Sequence, residues 1–248
     1  MTGRTLLFLP GLLGDASSLW QQEAELSPDH TVIAADYPDT PSIRHQLDAL
    51  LQALDARGAE RAVVIGQTLG GYLAQAFARA HPERVEALVL VHAGLPDPRV
   101  AKRIRRDLAF ARLLPWPVLR GWLHRHLRKM LAGLEAAGDV SPEQGRVVAG
   151  HFRHRFAELL DKPRVLARYR LLANLHEAPP MSPGGFPGPA LILYSEGNVF
   201  ARQLERLKAV FPGAAAHAMG RRHNLSLLVR PEESHRLIRG LLDSLPPV

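Results

Sequence analysis

The chain of 248 residues contains no cysteine, which excludes disulfide bonds, a thiol nucleophile and thiolate metal ligands. No stretch approaches the roughly 20 uninterrupted apolar residues that a membrane-spanning helix needs. The apolar run at residues 6–9 ends at Pro10-Gly11, so it lacks the length and the cleavage site of a signal peptide. These absences favour a cytoplasmic location.

Motifs for cofactors and nucleic acids are also missing. The chain has no G-x-G-x-x-G and no Walker sequence, so no nucleotide cofactor is predicted. His124 and His126 cannot lie on one helical face, whereas His151 and His154 can but have no third ligand nearby in sequence. We therefore predict no metal site. Nucleic-acid binding is not predicted either, because no recognised motif accompanies the positive charge.

The net charge of +7 is concentrated in one segment. Residues 99–129 carry ten lysines and arginines and a single acid, Asp107, with Trp116 and Trp122 interleaved. One interpretation is a surface for an anionic membrane or an acidic partner. The other is the solvated face of a helix in an arginine-rich protein.

The rest of the chain alternates between strands and helices. Apolar, β-branched runs predict strands at residues 5–9, 31–35, 62–65, 85–91, 190–194 and 214–219, and most are separated by helical periodicity. This alternation predicts an α/β fold with a mainly parallel, doubly wound sheet. Residues 97–189 have helical periodicity without a convincing strand. We expect residues 1–96 and 190–248 to form the core, and residues 97–189 to be a helical cap inserted into the same domain.

The segment Gly66-Gln67-Thr68-Leu69-Gly70-Gly71 has the form of a nucleophile elbow, G-x-S-x-G, between a strand and a helix. In such a turn the glycines allow strand and helix to approach closely, and the central side chain points out of the sheet. The central residue here is Thr68 instead of serine. A β-branched residue is strained at positive φ, and its methyl group crowds the path of an acyl carbon.

A catalytic triad also needs a histidine and an acid, in the chain order nucleophile, acid, histidine. His223 follows the last predicted strand, so we predict it to be the general base. The acid is expected in the loop after residues 190–194, where Asn198 occupies its usual place. Asp97 and Glu196 are possible substitutes. We favour Asp97 as the residue that orients His223, although it could equally be the N-cap of a helix that begins at Pro98.

An oxyanion hole is predicted after the first strand. Residues 8–14 match an H-G-x-x-G loop, with Pro10 in place of histidine. The backbone N–H groups of Leu12 and Leu69 would then converge on a developing oxyanion. The residues expected to contact a substrate are Gln67, Leu13 and Trp116.

Together these motifs resemble the α/β-hydrolase superfamily over essentially the whole chain. Within it the chain is similar to maspardin-like proteins, which look like hydrolases with an eroded triad, but it has Thr68 where that group has serine. With a threonine at the elbow, the chain also resembles plant carboxylesterase-like dehydratases. The segments that carry the maspardin likeness are Leu7-Phe8-Leu9-Pro10-Gly11, Tyr37-Pro38, Gly70-Gly71-Tyr72-Leu73-Ala74-Gln75 and Leu95-Pro96-Asp97.

The resemblance implies three functions. The first is hydrolysis of a small or medium apolar ester, thioester or related carbonyl compound through Thr68 and His223. The second is non-catalytic binding of a ligand or protein. The third is a lyase, dehydratase or cyclase reaction in which His223 moves a proton without an acyl-enzyme.

Overall fold

A computed structural model describes residues 3–197, 199–221 and 223–247. These residues form one six-stranded sheet with the strand order β2-β1-β3-β4-β5-β6, in which every neighbouring pair is parallel. The predicted parallel α/β fold is therefore confirmed. The strands are β1 (Thr5–Leu9), β2 (Thr31–Ala34), β3 (Ala62–Gln67), β4 (Val85–Val91), β5 (Ala190–Glu196) and β6 (Ala215–Arg221).

Helices cover the sheet and connect its strands. Short 3₁₀ segments lie at Ala16–Leu19, Pro82–Arg84 and Ala201–Gln203, and a π-helical segment lies at Arg155–Leu159. The α-helices in the described residues are α1 (Trp20–Leu26), α2 (Ile43–Asp55), α3 (Leu69–Ala80), α4 (Pro98–Ala111), α5 (Trp116–Ala136), α6 (Pro142–His154), α7 (Lys162–Glu177), α8 (Leu204–Val210), α9 (Ser226–Val229) and α10 (Pro231–Ser244).

The central strands are apolar on both faces because helices pack on both sides of a parallel sheet. Along β3, Val64 faces a cluster that includes Phe77 of α3, whereas Val63 and Ile65 face the opposite cluster with Ile238 of α10. All of these side chains are buried. The alternation therefore fixes which helices lie on each face.

Between β4 and β5 the described chain contains four helices, α4 to α7, and no strand. Leucines recur every four residues along the buried face of α5, so this helix packs onto α6 through one apolar stripe. The same cluster includes Leu225 and Leu228, which follow β6, and this contact attaches the inserted helices to the sheet. None of the described helices is long and apolar enough to cross a membrane.

Candidate functional site

Thr68 lies in a sharp turn between β3 and α3. Its φ of 48° and ψ of −109° are unusual for a β-branched residue. The Thr68 N–H donates to the Val91 carbonyl at 2.9 Å, which holds the turn against the end of β4. A Cβ at Gly66 would lie 2.3 Å from the Gly70 carbonyl oxygen, and a Cβ at Gly70 would lie 2.1 Å from that of Leu9. The structure therefore has the geometry of a nucleophile elbow.

A cavity of about 230 Å³ opens above Thr68. The elbow and the loop after β1 form its floor, and the inserted helices form its wall. Gln67 and Leu13, which the sequence predicts to contact a substrate, line this cavity. Trp116 instead packs against the apolar cluster of the inserted helices, and Trp122 lines the cavity. The apolar lining is Leu12, Leu13, Trp122, Leu123, Leu127, Met130, Phe152, Leu225 and Leu228.

Two buried arginines from the inserted helices hold the loop after β1. Arg155, fully buried, donates from Nε to the Leu13 carbonyl at 2.8 Å and pairs with Asp15. Arg168 donates to the Gly14 carbonyl. Since both arginines bind carbonyl oxygens of this loop, they fix the direction of its peptide groups. The sequence motifs gave no indication of this role, because a basic residue far along the chain has no recognisable spacing from the loop.

The predicted oxyanion donors are Leu12, in the loop after β1, and Leu69, which follows Thr68 in the chain. Leu12 lines the cavity, and Leu69 is the first residue of α3. A Cβ at Gly11 would lie only 2.8 Å from Thr68 Oγ1, so the loop and the elbow are in close contact. Within the described chain, neither the Leu12 N–H nor the Leu69 N–H donates to a protein acceptor. The Leu69 N–H lies at a helix start, where free N–H groups are suited to bind an anion.

His223 is buried after β6, with 2% of its surface exposed. Its Nε2 donates to the Met219 carbonyl at 2.6 Å, and its Nδ1 accepts from the Leu225 N–H at 3.3 Å. Burial lowers the pKa of His223, while the hydrogen bond to Met219 opposes this effect. Next to it, the Gln67 amide donates to the Asn224 carbonyl at 2.6 Å, which ties the His223 loop to the elbow.

The three candidates for the orienting residue lie in different places. The Asp97 carboxylate accepts from the Arg99 N–H at 2.8 Å and caps α4, so it has the alternative role of an N-cap, and no described contact joins it to His223. Glu196 pairs with Arg221 at 3.5 Å. Asn198 lies outside the described residues.

A fourth candidate, the carboxylate of Asp139, was missed in the sequence. Its Oδ1 and the His223 Nε2 each lie 3.1 Å from the position that a Cβ would take at Gly220. The Asp139 charge raises the pKa of His223, against the effects of burial and of Arg230, which Asp139 pairs with at 2.7 Å. Asp139 follows α5 in the inserted helices, where no triad pattern would place an acid.

A second buried histidine lies beside His223. His92 follows β4 with a φ of 49° and is fully buried. Its ring centroid is 5.4 Å from that of His223, edge to face, and its Nε2 is 2.5 Å from Ser226 Oγ. Burial lowers the pKa of His92 to about 3. The signal available in the sequence was its position directly after a buried strand, next to the elbow.

The buried histidines make the folded state sensitive to acid. An unfolded His92 titrates near 6.5, so between pH 6.5 and about 3 the unfolded chain binds a proton that the folded chain does not. Stability is therefore lost as the pH falls, by about 2 kcal/mol at pH 5 from His92 alone. We expect His92→Gln to reduce the loss of unfolding free energy between pH 7 and pH 5, measured by urea denaturation.

The control for this measurement is His217→Gln, at an exposed position of β6. It should leave the pH dependence unchanged. An identical pH dependence in His92→Gln and wild type would contradict the prediction.

Comparison with known proteins identifies the family. The family model described as "alpha/beta hydrolase fold" matches residues 4–215. RutD of Pseudomonas savastanoi pv. phaseolicola, named as a carbamate hydrolase, is 35% identical over 109 residues. That match covers 39% of this chain and 42% of RutD, less than half of its length. A 2-hydroxy-6-oxononadienedioate/2-hydroxy-6-oxononatrienedioate hydrolase of Paraburkholderia phymatum is 27% identical over 240 residues, which cover 86% of this chain and 76% of that protein.

Solved structures show the same fold. A thermophilic esterase from Thermogutta terrifontis superimposes with a TM-score of 0.76 at 21% identity, covering 98% of this chain and 90% of the esterase. An enol-lactonase from Burkholderia xenovorans does so with a TM-score of 0.70 at 19% identity, covering 98% and 93%. The family match spans most of the chain, and the elbow has the geometry of the fold. The chain therefore belongs to the α/β-hydrolase family.

Proposed function

We propose that the protein hydrolyses a small or medium apolar ester, thioester or related carbonyl compound. The observation that carries this proposal is the position of Thr68: its hydroxyl lies on the floor of an apolar cavity and in close contact with the loop after β1. A cavity of about 230 Å³ whose apolar lining is mainly leucine suits a compact apolar acyl group. The hydrolase names of the relatives agree with this class of reaction.

The residues have defined roles in this reaction. Thr68 Oγ1 attacks the carbonyl carbon while its proton passes to His223, and the carbonyl oxygen becomes an oxyanion near the Leu12 and Leu69 N–H groups. The leaving alcohol or thiol takes the proton from His223, and water then releases the acid from Thr68 by the reverse sequence. For this transfer a nitrogen of His223 must turn from the main chain towards Thr68.

Covalent labelling tests the proposal. We expect a fluorophosphonate to form an adduct on Thr68, detected by mass spectrometry of the peptide, and p-nitrophenyl butyrate to be hydrolysed. His223→Ala should lower the turnover by about 100-fold or more, since it removes the general base. Thr68→Val preserves the shape without the hydroxyl and should abolish the adduct. No adduct and no turnover above the His223→Ala background would refute a covalent hydrolase.

A second function is favoured by the contacts of His223. Both of its ring nitrogens bind the main chain, at Met219 and Leu225, as expected for a structural histidine. With Asp97 used as a helix cap, this arrangement favours the alternative of a maspardin-like protein that binds an apolar ligand without turning it over. Under this alternative, p-nitrophenyl butyrate or its acid would bind, as measured by calorimetry, with no hydrolysis in wild type.

A further inference from the structure

The corner between α4 and α5 exposes several large apolar side chains. Phe110 is 67% exposed near the end of α4, and Leu113 is 80% exposed in the turn that follows. On the next helix Val118 is 54% exposed and Trp122 is 59% exposed. Val118 and Trp122 are four residues apart, so they share one face of α5. We call these four residues the apolar corner. Such a group of exposed apolar side chains marks an interaction surface.

Basic residues extend from the apolar corner along both helices. On α4, Arg99, Arg103 and Arg106 share a helical stripe with Phe110, and on α5, Arg125 and Lys129 continue the stripe of Val118 and Trp122. All ten lysines and arginines of residues 99–129 are exposed. Within the described chain only Arg105 and Arg106 of this set form ion pairs, with Glu177 and Asp107. The surface is therefore strongly cationic around an apolar centre.

This pattern matches the two requirements of a protein that lies on a membrane surface. Apolar side chains enter the boundary between headgroups and acyl chains, and lysines and arginines bind anionic headgroups. The acidic groups of a protein partner would satisfy the basic stripes but would offer no apolar contact to Phe110 and Leu113. A second copy of this chain would bring two cationic surfaces together. Charge complementarity therefore favours an anionic lipid bilayer.

The apolar corner is also connected to the cavity above Thr68. Trp122 lines that cavity while more than half of its surface is exposed, so it lies at the cavity entrance. His126, stacked on Trp122 at 5.8 Å between ring centroids, lines the cavity as well. A bilayer that contacts the apolar corner would therefore face the entrance, and an apolar molecule could pass from lipid to the cavity with little exposure to water.

We propose that the apolar corner and its flanking basic stripes dock on an anionic lipid bilayer, with the cavity entrance facing the membrane. This binding does not depend on catalysis by Thr68. If the proposed function also holds, the proposal assigns its substrates to apolar compounds that partition into lipid.

Vesicle sedimentation of the full chain tests the proposal. We expect binding to phosphatidylcholine vesicles that contain phosphatidylglycerol, and at least tenfold weaker binding to pure phosphatidylcholine vesicles or at high salt. Phe110→Ser/Leu113→Ser should weaken binding about tenfold or more, because it removes apolar side chains that would enter the bilayer. Neither residue lines the cavity, so the substitutions leave the cavity lining intact. Arg103→Gln/Arg106→Gln should weaken it and reduce its salt dependence.

Matched controls separate the apolar corner from other surfaces. Val147→Ser/Val199→Ser removes exposed apolar groups elsewhere, and Arg57→Gln/Arg236→Gln removes the same charge from exposed positions of the core. Both should bind vesicles like wild type. Each serine variant is checked for an unchanged unfolding midpoint, so that lost binding is not lost folding.

Three results would overturn the proposal. The first is no binding to the anionic vesicles, and the second is equal loss of binding in the control variants. The third is a dimer in analytical ultracentrifugation that Phe110→Ser/Leu113→Ser dissociates, without vesicle binding by wild type. The vesicle measurement does not use turnover. A negative fluorophosphonate result would therefore refute the proposed hydrolase and leave the proposal of membrane docking untouched.

Discussion

Thr68→Ser is expected to raise the hydrolysis of p-nitrophenyl butyrate by roughly tenfold, equivalent to about 1.4 kcal/mol in the barrier. Thr68 has a φ of 48°, and a non-glycine residue in such a sparsely populated conformation is held there by its surroundings at a cost of about 1–3 kcal/mol. Serine keeps the hydroxyl but has no γ-methyl group. Its Oγ therefore has more rotational freedom and a clearer path to the acyl carbon.

The same substitution separates the remaining functions. In a lyase or cyclase, Thr68→Ser would leave the native reaction unchanged or replace it with hydrolysis. In a binding protein it would have little effect unless Asn198→Asp were added at the sequence position where the acid of a triad is expected, since an amide in place of that acid can cost about 10⁴ in rate. A folded but inactive Thr68→Ser/Asn198→Asp variant would contradict the view that a hydrolase site lies two substitutions away. Steady-state kinetics of wild type and the single and double variants measure these differences.

Gly70→Ala is expected to destabilise the protein by about 3 kcal/mol or more, a magnitude typical of severe overpacking. A Cβ at this position would lie 2.1 Å from the Leu9 carbonyl oxygen, which belongs to the backbone of β1 and cannot move without disturbing the sheet. The variant should show a large decrease in the midpoint of urea unfolding or should accumulate only in insoluble form. Since the displaced backbone adjoins the loop after β1, the turnover of any folded fraction should fall as well.

Gly150→Ala is the matched control, because it makes the same change in another helix. A Cβ at Gly150, on α6, has no neighbour within 4 Å, so alanine should stabilise the helix by about 0.5–1 kcal/mol. Opposite signs for the two variants would show that close approach at the elbow, rather than helix propensity, requires glycine at position 70. A Gly70→Ala variant with the unfolding midpoint of wild type would contradict this interpretation.

The sequence alone was sufficient for the fold class and for the elbow. Strand β4 was predicted with the bounds that it has, because a run of seven mostly apolar, β-rich residues has few alternatives to a buried strand. The elbow was predicted because its glycine spacing is required by the close approach of β3, α3 and β1, which leaves no room for a Cβ. In both cases the determining interaction is local, or it restricts which amino acids can occupy positions that are close together in the chain.

The predicted ends of helices and strands were less accurate than their positions in the chain, where local interactions compete. The sequence pattern predicts one helix over residues 17–26, whereas the structure has a tight turn at Ala16–Leu19, which the Asp15 side chain caps, followed by α1. The predicted strand at 214–219 extends to Arg221 as the edge strand β6. An edge strand has little apolar alternation, so its end depends on pairing with β5, which the sequence does not display.

Only the tertiary structure decided the surroundings of Thr68 and His223. Asp97 follows a strand that ends at the site, yet its carboxylate accepts a hydrogen bond from the Arg99 N–H and caps α4. Asp139 and Arg155 come from the inserted helices and reach the site across many residues of intervening chain, so no spacing in the sequence indicates them. The sequence by itself thus determined the sheet and the elbow, because short-range sterics and periodicity specify them. Packing between distant segments decided the charges around His223, the arginine contacts to the loop after β1 and the cavity wall. Such packing depends on three-dimensional distance rather than on separation along the chain.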